Sequence, residues 1–400
     1  MAPALRVLQI VPSISLVYGG PSQMVLGLSQ ALAKQNVDVT ILTTDSNGDA
    51  GQAPLEVPLD RSVDQDGYQI RYFRCAPFRR YKFSLGLLRW LSAHAHEFDL
   101  AHIHALFSPV SSFAAAIARA QRLPYLLRPL GTLDPADLRK KYRLKQIYAT
   151  LLERPNLAGA TAIHFTSDQE AKISERFGLT TRDLVIPLGV TLPVATDNAP
   201  TGEASLAQFN LPETRPRLLF MSRIDPKKGL DLLIPALERL LSEGIAFHWI
   251  LAGANPQDPG YEETIKAQIQ ASPLSSHTTI AGFVSGDLKL ALLQTTDLFV
   301  LPSYYENFGI AVAEAMAAGL AVVISDQVHI YTDIQRAEAG WIAQCTVESL
   351  TNALRAALQS ASERQRRGEA GKAFAQRHYS WEAIAQQTLQ AYQHLLNRYS

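Results

Sequence analysis

Long apolar runs are missing from this chain of 400 residues. No stretch reaches the roughly 18 to 20 uninterrupted apolar residues that a helix needs to cross a bilayer. Cysteine is scarce: Cys75 and Cys345 are the only two, they lie far apart, and neither belongs to a C-x-x-C pair. That spacing argues against a disulfide framework and against a zinc site of cysteines. Charge of one sign is not in excess, because Lys plus Arg and Asp plus Glu both number 37. A global attraction to nucleic acid or to an anionic surface is thereby excluded, and any charged partner must be recognised locally. The strings G-x-G-x-x-G, G-x-x-x-x-G-K-[ST] and H-E-x-x-H are absent, and no D-x-D string is read at a strand end. The opening Met1 to Pro12 carries one Arg and an early Pro12, which reads as a first strand rather than a signal peptide. The expectation is a cytoplasmic protein, free or held peripherally at the inner face of a membrane.

What is present is a regular alternation. Hydrophobic residues make up 47% and charged residues 18%, the balance of a soluble globular protein. The chain is longer than one core usually grows, so two domains are expected. Strand-like runs such as Val7 to Val11, Val37 to Leu42, Leu100 to His104 and Tyr125 to Arg128 are separated by helix-like stretches. Parallel strands need crossover helices, so this rhythm predicts a doubly wound α/β domain over residues 1–190. Pro193, Pro200, Pro212 and Pro216 punctuate residues 191–216, which read as a linker. The alternation restarts at Arg217 and predicts a second α/β domain over 217–378. A terminal helix at 379–400 spaces Trp381, Ile384, Thr388, Tyr392 and Leu395 on one face and is expected to pack back toward the N-terminal domain.

Ligands of open α/β sheets bind beyond the carboxyl ends of strands, so the loops after strands carry the candidates. In Glu306-Asn307-Phe308-Gly309-Ile310 to Glu314, an apolar strand leads through a loop into a small-residue helix. The amides of Phe308, Gly309 and Ile310 then lie near a helix N-terminus, where anions are favoured. Glu306 stays in the loop and Glu314 enters the helix, so the two carboxylates address different parts of an extended ligand. In a second such loop, Arg223 and Lys228 can converge on a diphosphate, with Gly229 freeing the turn. Gly19-Gly20 occupies the phosphate-loop position after the first strand, although an ordinary tight turn explains it equally well. His102 and His104 sit two apart on a strand and lack a third ligand for a metal. His104, nearer the strand end, is the candidate for substrate contact, with His102 in reserve.

Together these strings resemble glycosyltransferase family 4, most specifically through Glu306-Asn-Phe-Gly-Ile-Ala-Val-Ala-Glu314-Ala-Met-Ala-Ala-Gly319. The resemblance implies the GT-B fold, two Rossmann-like domains with parallel sheets facing across a cleft. It also implies a retaining hexosyltransferase that takes its sugar from a nucleotide-diphosphate donor, with neither cofactor nor metal. By this likeness Arg223 and Lys228 hold the diphosphate, Glu306 meets the sugar hydroxyls, and Glu314 binds the ribose. Asn307, Phe308, Gly309 and Ile310 belong to the donor site, Gly282-Phe283-Val284 meets the base chiefly through backbone, Gly19 and Gly20 approach the sugar phosphate, and His104 lies by the reacting sugar. The family's linker commonly reads PNGVD, whereas Pro187-Leu-Gly-Val-Thr191 stands here, so Leu188 and Thr191 receive no role.

The acceptor, a glycan, a lipid-linked sugar or a small molecule, is expected on the N-terminal domain near Arg128 to Asp134. The basic runs Arg79-Arg80-Tyr-Lys82 and Arg139 to Lys145 are candidates for an anionic lipid face, with a solvated surface as the plainer explanation. Nucleic acid is not an expected partner. Two other functions fit the same pattern: a GT-B nucleotide-sugar epimerase and a non-catalytic two-domain sugar-binding protein.

Overall fold

A computed structural model describes residues 4–15, 17, 19–48, 52–139, 142–192, 206, 209, 211–212, 214–256 and 258–397. The chain divides into two compact units, one of residues 1–189 together with 381–400 and one of residues 190–380. Most of the Pro-rich segment between 191 and 216 lies outside the described residues.

The first unit is built on eight strands: β1 (Arg6–Ile10), β2 (Asp38–Thr44), β3 (Ser62–Gln65), β4 (Tyr68–Phe73), β5 (Leu100–His104), β6 (Tyr125–Arg128), β7 (Ala162–Phe165) and β8 (Asp183–Val185). Their order is β3-β4-β2-β1-β5-β6-β7-β8. All pairs are parallel except β3 with β4, an antiparallel hairpin at the edge. Strands covered on both faces read as near-continuous apolar runs, and β5 and β6 are buried at every position. Polar Gln9, His102, His104 and His164 interrupt those runs and are nevertheless fully buried.

Helix Trp381–Leu396 closes this unit. Its Trp381 ring lies against two glycines: a methyl group at Gly27 would stand 2.3 Å, and one at Gly189 2.2 Å, from ring carbons. Glycine at those two positions is what lets the indole seat. Ile384, Thr388, Tyr392 and Leu395 of the same face are buried.

The second unit carries β9 (Arg217–Met221), β10 (His248–Ala252), β11 (Thr278–Gly282), β12 (Leu298–Leu301), β13 (Ala321–Ser325) and β14 (Gly340–Ala343). They form one wholly parallel sheet in the order β11-β10-β9-β12-β13-β14. The chain winds outward from β9 in one direction and from β12 in the other. The carboxyl ends of β9 and β12 therefore flank the topological switch point, where a crevice for ligands opens in sheets of this kind.

Candidate functional site

The switch point of the second unit brings together the loops that the sequence singled out. After β9 the chain passes through Arg223 and Asp225, whose carboxylate accepts from the Lys227 amide at 2.9 Å and caps the turn at Pro226–Lys228. Gly229 then adopts φ 72°, and a Cβ there would sit 2.1 Å from the carbonyl oxygen of Pro302. Only glycine allows this approach of the β9 loop to the β12 loop. The Tyr304 amide donates to the Lys227 carbonyl at 2.8 Å, and the Tyr304 hydroxyl donates to Asp231 at 2.8 Å. Burial and that neighbouring carboxylate push the Tyr304 phenol up to about 12, so it stays a donor at neutral pH.

These ties set the Lys228 ammonium directly on the Glu306 carboxylate, with the two side chains 13% and 23% exposed. The sequence reading gave the two residues separate targets. In the structure they satisfy one another, because two opposite charges at this depth cannot remain unpaired cheaply. Glu306 is also held by its backbone: its amide donates to Gln327 and its carbonyl accepts from His329, at 3.1 and 3.0 Å.

Gly309, at φ 85°, is the N-cap of helix Ile310–Ala318 and brings no side-chain cap. The first intrahelical bond of that turn runs from the Val312 amide to the Gly309 carbonyl at 2.9 Å. The N–H groups preceding Val312 therefore have no intrahelical acceptor and sit at the positive end of the helix. Phe308 is buried edge-on against Tyr379, with ring centroids 5.3 Å apart, and so anchors the loop. Asn307 is part of the same turn.

Glu314, on that helix, forms an ion pair at 2.6 Å with Lys289 of helix Gly286–Thr295. Sequence reasoning missed Lys289, since a lone lysine on a surface helix looks like solvation. Gly282 takes φ 67°, Phe283 points outward at 77% exposure, and Val284 is buried. A group beside this turn would find backbone rather than packed side chains, apart from the solvent-facing ring.

The remaining candidates belong to the first unit. Gly19 has φ 65° and open space where a Cβ would stand, and it caps helix Gly20–Ala33 without a side-chain bond. His102 and His104 are fully buried, as is His164 of β7. Burial holds all three imidazoles well below the usual histidine range; the buried Arg128 guanidinium, and for His102 and His164 neighbouring histidines, add to the effect. One D-x-D string does occur, Asp64-Gln65-Asp66, which corrects the reading that none ends a strand. It makes the exposed turn of the β3–β4 hairpin, with Asp66 at φ 48°. A left-handed turn position explains an aspartate there without a ligand. Among the described residues no group of three or more His, Cys, Asp or Glu side chains could hold a metal ion.

Comparison with known proteins places the chain among glycosyltransferases. A family model for glycosyl transferases group 1 matches residues 203–374, and one for a glycosyl transferase 4-like domain matches residues 19–189. A D-inositol 3-phosphate glycosyltransferase of Xylanimonas cellulosilytica is 25% identical over 94% of this chain and 91% of its own. A phosphatidyl-myo-inositol mannosyltransferase of Mycobacterium tuberculosis is 24% identical, covering 97% of each chain. Among solved structures, that of Anabaena Alr3699/HepE in complex with UDP and glucose superposes with a TM-score of 0.71 at 18% identity, covering 98% of this chain and 100% of that one. The architecture is GT-B.

Proposed function

The chain belongs to glycosyltransferase family 4, and on that premise we propose that it is a retaining, metal-independent hexosyltransferase. Its donor is a nucleotide-diphosphate sugar and its acceptor a glycan, a lipid-linked sugar or a small molecule. Membership of this family makes it a transferase, which removes the non-catalytic sugar-binding alternative. The observation that carries the reading is the Lys228–Glu306 pair beside the amide end of helix Ile310–Ala318, at a switch point whose β9 loop also carries Arg223. A diphosphate placed at those amides competes with Glu306 for Lys228. Lys228 then turns to the phosphate, and Glu306 is released to accept hydroxyls of the sugar. Stabilisation of the departing diphosphate by Arg223, Lys228 and the helix end supplies the main catalytic contribution. Glu314, steadied by Lys289, accepts from the ribose. UDP is the favoured nucleotide, since the Anabaena neighbour carries it.

Because side chains and amides neutralise the leaving group here, turnover of the donor is expected to be unchanged by EDTA. Loss of activity on chelation, restored by magnesium or manganese, overturns that part of the reading.

The acceptor side of the proposal includes a peripheral membrane contact, as the name of the mycobacterial relative suggests. Leu144, Ile147 and Leu151 follow at helical spacing and are 65%, 60% and 68% exposed, beside exposed Arg143. Phe78 and Tyr81 are similarly exposed among Arg79, Arg80 and Lys82. Exposed apolar residues flanked by basic ones suit an anionic lipid surface. Lys145 is already engaged by Asp137 at 2.8 Å, and Lys140 and Lys141 lie outside the described residues. Co-sedimentation with vesicles containing anionic phospholipid is expected, and Leu144→Asp with Ile147→Asp should abolish it. No pelleting of the unmodified protein at low salt contradicts the contact.

A further inference from the structure

The loops that follow β5 and β6 in the first unit hold non-glycine residues in the left-handed region. The chain winds outward from β1 in one direction and from β5 in the other, so the β5 loop borders the switch point of this sheet, where ligands bind. Ala105 has φ 63° and Phe107 φ 58°, and one strand over Leu130 has φ 56° beside Gly131 at φ 80°. A bulky side chain takes that conformation only where its surroundings impose it, and such residues gather at functional sites. Here two buried carboxylates impose it. Glu153, 1% exposed, accepts from the Phe107 amide at 2.6 Å and from the Ser112 hydroxyl at 2.7 Å. Glu170, 2% exposed, accepts from the Gly131 amide at 2.8 Å through one oxygen, and through the other from the Thr166 amide and hydroxyl at 2.7 and 2.8 Å.

Each of these bonds fixes the direction of the carbonyl in the same peptide unit. Both peptides are trans, and a trans unit sets its N–H and C=O on opposite sides. With the Phe107 amide turned in to Glu153, the Leu106 carbonyl points away from that carboxylate. With the Gly131 amide on Glu170, the Leu130 carbonyl points away likewise. Among the described residues no donor reaches either oxygen, although Leu106 is buried and buried carbonyls are as a rule paired. The Ala105 amide donates to the Arg128 carbonyl at 3.0 Å and keeps the two loops side by side. A carbonyl only accepts, so it pairs with a hydroxyl group and not with the oxygen of a phosphate or carboxylate. Helix Pro109–Ala120 starts at the same edge, and its amide end is where an anion would go instead.

We propose that the carbonyls of Leu106 and Leu130 form a hydroxyl-binding site on the first unit, with Glu153 and Glu170 as the positioning residues that aim them. That its occupant is the acceptor rests on the transferase reading, which assigns the donor nucleotide to the second unit; the aim of the carbonyls does not. Without Glu153 the Phe107 amide loses its acceptor, nothing holds the left-handed turn, and the Leu106 carbonyl is free to rotate. Glu153→Gln keeps an acceptor oxygen at the same place and so separates the hydrogen bond from the charge.

Carbonyl chemical shifts measure this directly. Protein with 13C in the leucine carbonyls and 15N in phenylalanine gives a correlation only where Phe follows Leu, at the three pairs Leu106-Phe107, Leu219-Phe220 and Leu298-Phe299. With 15N in glycine instead there are four such pairs, Leu130-Gly131 among them. Leu106→Met and Leu130→Met identify the two signals by their loss. Methyl α-glucoside, used as a hydroxyl-bearing probe, is expected to shift both carbonyls downfield, and inorganic phosphate to leave them in place. If neither carbonyl moves with the glucoside, in the presence or absence of UDP, the site is overturned without needing any variant; movement with phosphate alone overturns its hydroxyl character. In Glu153→Ala the Leu106 response is expected to vanish and in Glu153→Gln to persist, while calorimetry shows UDP affinity unchanged in both. A Leu106 response retained in Glu153→Ala overturns the role of Glu153. Absence of glycosyl transfer with the carbonyl responses intact would count against the proposed function and not against this site.

Discussion

Lys228→Ala is expected to lower turnover of the nucleotide-sugar donor by about 2 to 4 kcal/mol of transition-state stabilisation, roughly 30- to 1000-fold, as for other preorganised charge donors. Two effects add in the same direction. The variant removes a cation of the proposed donor site, and it strands Glu306, which the structure pairs with that ammonium at 23% exposure. Lys228→Arg separates the two, because it restores a partner for Glu306 and leaves only the loss of the compact point charge. Arg223→Ala should fall in the same range. Steady-state rates at saturating donor measure both, and unchanged rates in the two alanine variants would remove the proposed donor site.

Acidification is expected to unfold the first unit early. His102, His104 and His164 are fully buried, and their folded pKa values lie well below the ordinary histidine range. The unfolded chain takes up these protons near pH 6.5, whereas the folded chain refuses them. Stability is therefore flat with respect to these groups above that pH and declines as pH falls toward the depressed folded values. Each histidine contributes about 1.4 kcal/mol per pH unit, so the three together cost about 4 kcal/mol per unit over that window. Glu153, raised by burial, works with opposite sign and nearer the carboxylate range, so it offsets only part of the loss at lower pH. Urea midpoints at pH 7.5, 6.5 and 5.5 measure the decline. Midpoints that stay level from 7.5 to 5.5 would show that the triad is protonated or solvated in the folded protein.

The βα rhythm was legible wherever strands are buried on both faces, because β1, β2, β5 and β9 announce themselves as apolar runs. The β3–β4 hairpin was not, since Ser62–Gln65 is an exposed polar edge strand and Tyr68–Phe73 beside it mixes buried and exposed positions. Within the site, Glu306 to Glu314 could be placed because a loop and a helix start are local features. The partnerships of these acids could not. Lys228 reaches Glu306, and Lys289 reaches Glu314, only through the folding of separate βα units onto one sheet. Tyr392 shows the same limit at greater range, since its helical spacing marks it as core, while its hydroxyl contacts Gln9, 383 positions earlier. His104 is seen in the sequence as a strand-end histidine, and its burial and its bond to Gln9 appear only in the fold.

The central claim, that the second unit binds the nucleotide part of a sugar donor with its two glutamates in different roles, is tested most directly by calorimetric titration with UDP. The unmodified protein is expected to bind at a single site, and Glu306→Gln to bind nearly as well, because the sugar hydroxyls assigned to it are absent from UDP. Glu314→Gln exchanges a charged acceptor for the ribose for a neutral amide and should weaken UDP by about 1.5 to 3 kcal/mol, roughly 10- to 150-fold. Loss of UDP affinity in Glu306→Gln but not in Glu314→Gln would reverse the two roles, and affinity unchanged by either substitution would contradict the site.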